Sequence, residues 1–284
     1  MDGRALARRF RAELEGRVSE WVETHGAAPS LAVVLVGAKP DSVLYSQNLV
    51  RWFGRINLGC SLVTLEEDAS QEDVVVTVRR LSEDDGVTGI LVQMPLPPHL
   101  DSDQVAAAVA PLKDVEGLHP ENIGYLSTSR PRFVPSTPLA GLELLDEYGV
   151  DLRGKHVAIL GRSNVVGRPF AQLALQRDAT VTVLHSRSRN VGAILRSADV
   201  VAAAAGRPGL VVGDMIAPGA VVLDFGINFV GESVVGDVVF EDAVRVASLV
   251  TPVPGGVGPL TNVVLARNLM HAAELQAGEG DDDD

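Results

Sequence analysis

The sequence predicts an α/β protein of two domains, an N-terminal parallel-sheet domain and a C-terminal Rossmann-like domain. Three observations carry that expectation. The 284 residues exceed what one simple core needs, and the 46% hydrophobic content is spread along the chain rather than gathered in one block. Short runs rich in Val, Ile and Leu alternate with stretches of helical period, the pattern of βαβ units. That alternation breaks once, in a proline- and glycine-rich stretch over 111–138, and then begins again.

Leu6, Phe10, Leu14, Val18, Trp21 and Val22 recur at three- and four-residue steps, so they line one stripe of a first helix that ends near Gly26. Buried strands are expected over 31–37, 61–65 and 89–95, and helices over 42–57, 70–83 and 101–110. The second of these helices opens on a Ser70-x-x-Asp73 capping box. Strands separated by helices pair in parallel, because a hairpin connection is far shorter. Past the break, Thr137 and Pro138 read as N-cap and first helical residue, and Gly149 closes that helix. The second alternation places strands at 156–160, 180–184, 199–204, 220–224 and 247–253, with helices at 165–177 and 191–197. A long helix over 260–276 is expected to return to the first domain. The division is therefore 1–137 with 260–276, then 138–259, then an acidic tail over 277–284 that is solvated or an interaction tail. No repeat of solenoid period is present.

Composition excludes several classes. A formal net charge of −13 argues against nucleic acid as a partner, since neutralising phosphates takes clustered Lys and Arg. The longest apolar run, Val200 to Ala205, is far below the roughly 18 to 20 residues that cross a bilayer. The Arg-rich start lacks the apolar core of a signal peptide. A soluble cytoplasmic protein is expected. The single cysteine, Cys60, forms no intrachain disulfide and reads as a small packing residue just before a strand. No metal site is expected.

Gly161-Arg162-Ser163-Asn164-Val165-Val166-Gly167 follows a strand and opens a helix, where glycine allows close backbone approach and the helix N-terminus attracts a pyrophosphate. The spelling is G-x-S-x-x-x-G rather than G-x-G-x-x-G, so a turn that only packs helix against sheet fits as well. The next strand lacks the acidic residue that binds a ribose 2′-hydroxyl in an NAD site. It runs instead into His185-Ser186-Arg187-Ser188-Arg189, which with Arg162 suits a 2′-phosphate and favours NADP over NAD. An ordinary solvated loop is the alternative.

Three further segments lie in loops: Val92-Gln93-Met94-Pro95-Leu96-Pro97, Lys113-Asp114-Val115-Glu116-Gly117, and Thr251 to Thr261 with its core Pro254-Gly255-Gly256-Val257-Gly258-Pro259. Their glycines and prolines shape backbone, either to set donors against a ligand or to make a rigid hinge. Taken in order with Asp2-Gly3, Val36-Gly37, Pro40, Tyr45, Gly161 to Pro169, Asp224-Phe225-Gly226-Ile227-Asn228 and Val235-Gly236-Asp237-Val238, they closely resemble the FolD family. These are the methylenetetrahydrofolate dehydrogenase/methenyltetrahydrofolate cyclohydrolases. The resemblance covers nearly the whole chain, and its closing Pro-Gly-Gly-Val-Gly-Pro signature is long and specific.

The resemblance implies a homodimer of two-domain subunits in one-carbon metabolism, which feeds purine biosynthesis, with a tetrahydrofolate derivative in the interdomain cleft and NADP on the C-terminal domain. It makes Tyr45 the ring that stacks on the folate aminobenzoate, Gln93 the glutamine near the reacting carbon, and Glu116 the carboxylate of the cleft. Pro254, Gly255 and Gly256 become substrate-binding, and Ile227 joins Gly161, Arg162, Ser163, Ser186 and Arg187 at the cofactor. The bland alternatives are a core aromatic for Tyr45 and a strand-end polar residue for Gln93. Two departures stand out. The family lysine four residues after the tyrosine, tied to cyclohydrolase chemistry, is Leu49, and the family aspartate of Lys-Asp-Val-Asp-Gly is Glu116. Arg51 and Arg55 lie at other helical angles, and His119 is remote in sequence.

Hydride transfer from the methylene bridge asks the protein for position and electrostatics, and no lysine is demanded. Hydrolysis of the methenyl product needs water activated, work worth roughly 10²- to 10⁴-fold from a placed acid or base, and a leucine supplies none. Dehydrogenase activity is therefore expected to persist and cyclohydrolase activity to be crippled or absent. The rivals are a non-catalytic folate- and NADP-binding paralogue, which binds without turnover, and a Rossmann reductase of another carbonyl or imine, which binds NADP without folate.

Overall fold

A computed structural model of the chain describes residues 1–231 and 233–278. The tail expected over 277–284 lies, from residue 279 on, outside the described residues. The chain divides into two units, one of Met1–Arg9 with Pro135–Val264 and one of Phe10–Val134 with the segment from Leu265 on. These limits differ by a few residues from the boundaries expected from sequence, and they move the first nine residues to the Rossmann-like unit. The reason is backbone pairing. Gly3 N–H donates to the carbonyl of Gly255 at 3.0 Å, and a Cβ on Gly3 would stand 2.1 Å from the carbonyl oxygen of Gly256.

The elements in chain order are α1 (Arg4–His25), β1 (Ser30–Val36), α2 (Pro40–Gly54), β2 (Gly59–Leu65), α3 (Gln71–Glu83), β3 (Gly89–Val92), α4 (Ser102–Ala106), α5 (Pro120–Ser127), α6 (Ser136–Glu147), β4 (His156–Leu160), α7 (Gly167–Gln176) and β5 (Thr180–Leu184). They continue as α8 (Val191–Arg196), β6 (Val200–Ala203), β7 (Val221–Asp224), β8 (Asn228–Val230), β9 (Ser233–Val235), α9 (Phe240–Ala243), β10 (Leu249–Val250) and α10 (Gly258–Ala277). Among the described residues no helix is long and apolar enough to cross a membrane.

The unit from Phe10 to Val134 holds a parallel sheet of order β2-β1-β3, and an isolated parallel bridge between Ile90 and Asp114 extends it beyond β3. Leu31 to Val36 of β1 are all buried, as a central strand covered on both faces requires. Ala32, Val34, Val36 and Ile90 meet Val74, Val78 and Leu81 of α3 in one core cluster. The expected Ser70 box forms: Ser70 Oγ accepts from Asp73 N–H at 3.1 Å, and Ser70 N–H donates to Asp73 Oδ2 at 3.3 Å. Cys60 lies inside β2 rather than before it, half-buried, and burial pushes its thiol up to about 11.

The Rossmann-like unit holds a five-stranded parallel sheet of order β10-β7-β6-β4-β5. This is the doubly wound arrangement, whose direction reverses between β4 and β6, the place where such sheets bind ligands. Several expected spans shorten. β10 covers two residues because Pro252 and Pro254 lack the donors a longer strand needs. α4 stops at Ala106, and the chain turns twice before Pro111. The helix α6 starts at Ser136 with Pro135 in the capping position, so Thr137 and Pro138 sit inside its first turn, where amide donors are unused anyway. The β8–β9 hairpin, α5 and α9 are too short for periodicity to disclose.

Candidate functional site

In the unit from Phe10 to Val134, two of the three candidate residues leave the same end of one sheet. Gln93 follows β3 directly, and its N–H still donates to the carbonyl of Val34 at 2.9 Å. Glu116 follows the bridged Asp114 by two residues, just as Val92 follows Ile90. Both therefore emerge at the C-terminal ends of adjacent parallel segments, where open α/β sheets present ligand-binding groups. Glu116 is buried, and Gln93 is half-buried with its amide Nε2 donating to the carbonyl of Met94 at 3.0 Å. The Met94–Pro95 bond is cis.

Tyr45 joins them from α2. Burial, with the charge of Glu116 adding, pushes its phenol well above the ordinary tyrosine range, so the side chain stays a neutral hydroxyl. The same effect shows that Tyr45 and Glu116 lie within electrostatic reach of each other. Ser46, Leu49 and Phe53 form the fully buried stripe of this helix, at steps of three and four, and Ile56, just past its end, continues it. Leu49 belongs to that stripe and has no exposure. The hydroxyl of Ser46 is buried and, among the described residues, without a hydrogen-bond partner.

Among the described residues, none of Lys39, Lys113, Arg51, Arg55 and His119 belongs to the buried stripe of α2 that holds Leu49. The chain has three lysines, Lys39, Lys113 and Lys155. Lys39 precedes the first turn of α2, ten residues and roughly 15 Å of helix axis from position 49. Lys113 is buried with its ammonium on the carbonyl of Asp84 at 2.8 Å, and Lys155 belongs to the other unit, just before β4. Arg51 is exposed and bound to Gln47 and Asn48 of its own helix, and Arg55 is exposed. His119 caps α5, its Nδ1 accepting from Glu121 N–H at 3.1 Å.

The loop carrying Glu116 is held on all sides. Asp114 is buried, and its Oδ2 accepts from His119 N–H at 2.7 Å and Asn122 Nδ2 at 2.8 Å. Burial raises its carboxyl and these donors pull it back. Gly117 takes φ +61°, the left-handed turn that glycine favours.

In the Rossmann-like unit, Gly161 has φ +136°, and a Cβ there would stand 2.1 Å from the carbonyl oxygen of Ala204, so only glycine fits. A Cβ on Gly167 would stand 2.2 Å from the carbonyl oxygen of Gly161. The turn is therefore pulled tight against the sheet, and Ser163 Oγ accepts from Val166 N–H at its helix entry. Arg162, Ser163, Ser186 and Arg187 are exposed at the ends of β4 and β5. Among the described residues, Arg162, Arg187 and Arg189 have no hydrogen-bonded or ionic side-chain partner, which leaves three guanidiniums for an anionic ligand. Ile227 is 60% exposed after β7.

Two acids without an assigned role organise the strand ends beside this turn. Asp237, fully buried, accepts from three consecutive amides, Ala205, Gly206 and Arg207, at 2.6, 2.9 and 2.8 Å, and from Asn228 Nδ2 at 2.9 Å. Three adjacent amides make an anion cradle, and here an internal carboxylate fills it. Asp224 accepts from Gly226, Asp237 and Val238 N–H, and burial pushes it up to about 6, with Asp237's charge adding, against those donors. A cavity of about 390 Å³ opens here, lined by Asp224, Gly236, Phe240, Thr251 and Val253 among others. Thr251 Oγ1 accepts from Asp224 N–H at 2.7 Å and so joins the glycine-rich segment to β7. Beyond it, the Val253–Pro254 bond is cis, Gly255 has φ +118° with a would-be Cβ 2.5 Å from the Arg4 guanidinium, and a Cβ on Gly256 would stand 2.7 Å from the Pro252 carbonyl oxygen. A sequence signal for the two acids existed, a glycine within two residues of the aspartate in both segments, but nothing local shows that they meet.

Residues 135–277 match the model of the tetrahydrofolate dehydrogenase/cyclohydrolase NAD(P)-binding domain, and residues 1–116 that of the tetrahydrofolate dehydrogenase/cyclohydrolase catalytic domain. The chain belongs to the tetrahydrofolate dehydrogenase/cyclohydrolase family. A relative from Chloroflexus aurantiacus, "Bifunctional protein FolD", is 46% identical over 98% of both chains. Among solved structures of the family, FolD of Campylobacter jejuni superposes with a TM-score of 0.92 at 38% identity, covering 97% of this chain and 98% of that one. FolD of Trypanosoma brucei, complexed with NADP cofactor and inhibitor, gives 0.93 at 37% identity, covering 98% and 97%. The two-domain α/β reading and the family expectation both hold.

Proposed function

We propose that the chain oxidises 5,10-methylenetetrahydrofolate to 5,10-methenyltetrahydrofolate with NADP, and that its cyclohydrolase step is crippled or lost. The observation that carries this split is Leu49, a fully buried member of the stripe of α2 at the position where the family has its lysine, with the unit's two lysines, Lys39 and Lys113, both outside that stripe. The family membership and the NADP-bound relative support the first half.

The residues fit the cofactor: the turn at Gly161 admits close backbone approach, and Arg162, Ser186 and Arg187 are exposed and ready for a 2′-phosphate. When bound, the nicotinamide supplies hydride acceptance. Asp237 and Asp224 keep the ends of β6 and β7 in place, and Ile227 offers an apolar surface there. Tyr45 gives the aminobenzoate ring a neutral aromatic face, and Gln93 and Glu116 orient the ring nitrogens and the bridging carbon. Pro254, Gly255 and Gly256 supply backbone against the folate. Oxidation needs this positioning alone. Hydrolysis of the product needs a proton moved at the attacking water, and Leu49 holds none. The same reading makes the protein a cytoplasmic homodimer with a tetrahydrofolate derivative as its ligand, in one-carbon metabolism that serves purine synthesis. NADP-dependent formation of methenyl-folate by the purified protein tests the first half and its persistence tests the second; tight binding of both ligands without turnover is the result that would make it a non-catalytic paralogue.

A further inference from the structure

Asn268 lies in the interior of α10, 9% exposed, a position where asparagine has poor helix propensity and no packing advantage. Its amide Nδ2 donates to the carbonyl of Val115 at 2.7 Å and to the carbonyl of Val134 at 2.8 Å. An amide nitrogen has two hydrogens, so both are committed. The first carbonyl belongs to the peptide that joins Val115 to Glu116. The next helix residue, Leu269, acts on the same place from the side: a Cβ on Gly89 would stand 2.6 Å from Val115 Cγ1 and 2.7 Å from Leu269 Cδ1, so Gly89, Val115 and Leu269 close on one another without space. Val115 itself has no exposure.

The geometry points to Asn268 as a positioning residue that fixes the Val115–Glu116 peptide, and through it the aim of the Glu116 carboxylate at the folate. A peptide plane is rigid, so holding its carbonyl sets the direction in which the next Cα leaves. With Asp114 tied to His119 and Asn122 on the other side, Glu116 is held at the carbonyl before it and at the turn after it. This inference rests on the folate reading of Glu116. A residue that acts only on overall stability lowers the folded fraction; a positioning residue changes the folate KM and kcat of the folded enzyme and leaves cofactor binding alone.

The test is a double-mutant cycle on the full chain: wild type, Asn268→Ala, Glu116→Ala and the double variant, with kcat/KM for methylenetetrahydrofolate, NADP affinity and Tm read for each. The expected result is a loss of roughly ten- to a hundredfold in kcat/KM for folate in Asn268→Ala, unchanged NADP affinity, and no additional loss when the substitution is added to Glu116→Ala. Losses that multiply in the double variant overturn the proposal while leaving the folate reading intact. A Glu116→Ala enzyme as active as wild type overturns the role given to Glu116, and the proposal with it. Should Asn268→Ala fail to fold, Asn268→Ser, which retains one donor for two carbonyls, takes its place in the cycle, and the same results support or overturn the proposal.

Discussion

The proposed split between two chemistries turns on one residue, Leu49. Its place in the stripe with Ser46, Phe53 and Ile56 means that a lysine there must either bury an ammonium or reach past its neighbours. Leu49→Lys is therefore expected to lower Tm and to raise methenyl-folate hydrolysis by at least about tenfold, short of the roughly 10²- to 10⁴-fold a well-placed group supplies; hydrolysis no faster than wild type contradicts this. Tyr45 gives a second prediction. Its phenol is raised, so the folded protein keeps a proton that the unfolded chain loses, and the contribution to stability is present below the ordinary value of about 10 and is lost as pH rises above it. Ultraviolet titration of native wild type and native Tyr45→Phe is expected to give the same phenolate absorbance through about pH 10, with the extra phenol appearing only on unfolding. Tyr45, Gln93 and Glu116 were legible in the sequence as matches to a family pattern. That Leu49 sits in the core stripe was legible only in part, since helical spacing pairs it with Tyr45 as readily as with Phe53.

At the scale of elements, caps and tight turns carry the testable consequences. The Ser70 box satisfies two donors at the start of α3, and Ser70→Ala is expected to cost about 1 kcal/mol of unfolding free energy by denaturant titration. Around the Rossmann turn, Arg187→Ala is expected to raise the KM for NADP roughly tenfold, the worth of a charged hydrogen bond, and to leave that for NAD unchanged; an equal effect on both places the 2′-phosphate elsewhere. Long periodic elements such as α1 and α3 were readable because burial imposes their period, and β4 because a strand buried on both faces is a short continuous apolar run. The β8–β9 hairpin was not, because its strands have three residues each. The clamp of Asp237 on residues 205–207 was not either, because it joins residues some thirty apart in sequence through side chain to backbone.

For the whole molecule, acid has opposed effects. Asp224 is raised from 3.8 to about 6, so its contribution to stability is present below the lower value and is lost as pH rises through the upper one, at most about 3 kcal/mol. Asp101, lowered chiefly by Gln104, and Glu147, lowered chiefly by Arg9, act the other way, stabilising above their ordinary range and losing that as pH falls. Asp224→Asn is expected to gain stability relative to wild type between about pH 4 and 6, read by denaturant unfolding at each end; a constant difference contradicts the raised carboxyl. The two-unit plan followed from alternation and one proline-rich break. The transfer of residues 1–9 to the Rossmann-like unit did not, because Gly3 meets Gly255 across most of the sequence. Retained oxidation with lost hydrolysis is tested most directly by following the methenyl product when purified protein receives methylenetetrahydrofolate and NADP. Methenyl-folate is expected to form and accumulate, decaying no faster than it does without protein; formation followed by rapid enzyme-dependent hydrolysis, or no formation at all, contradicts the split.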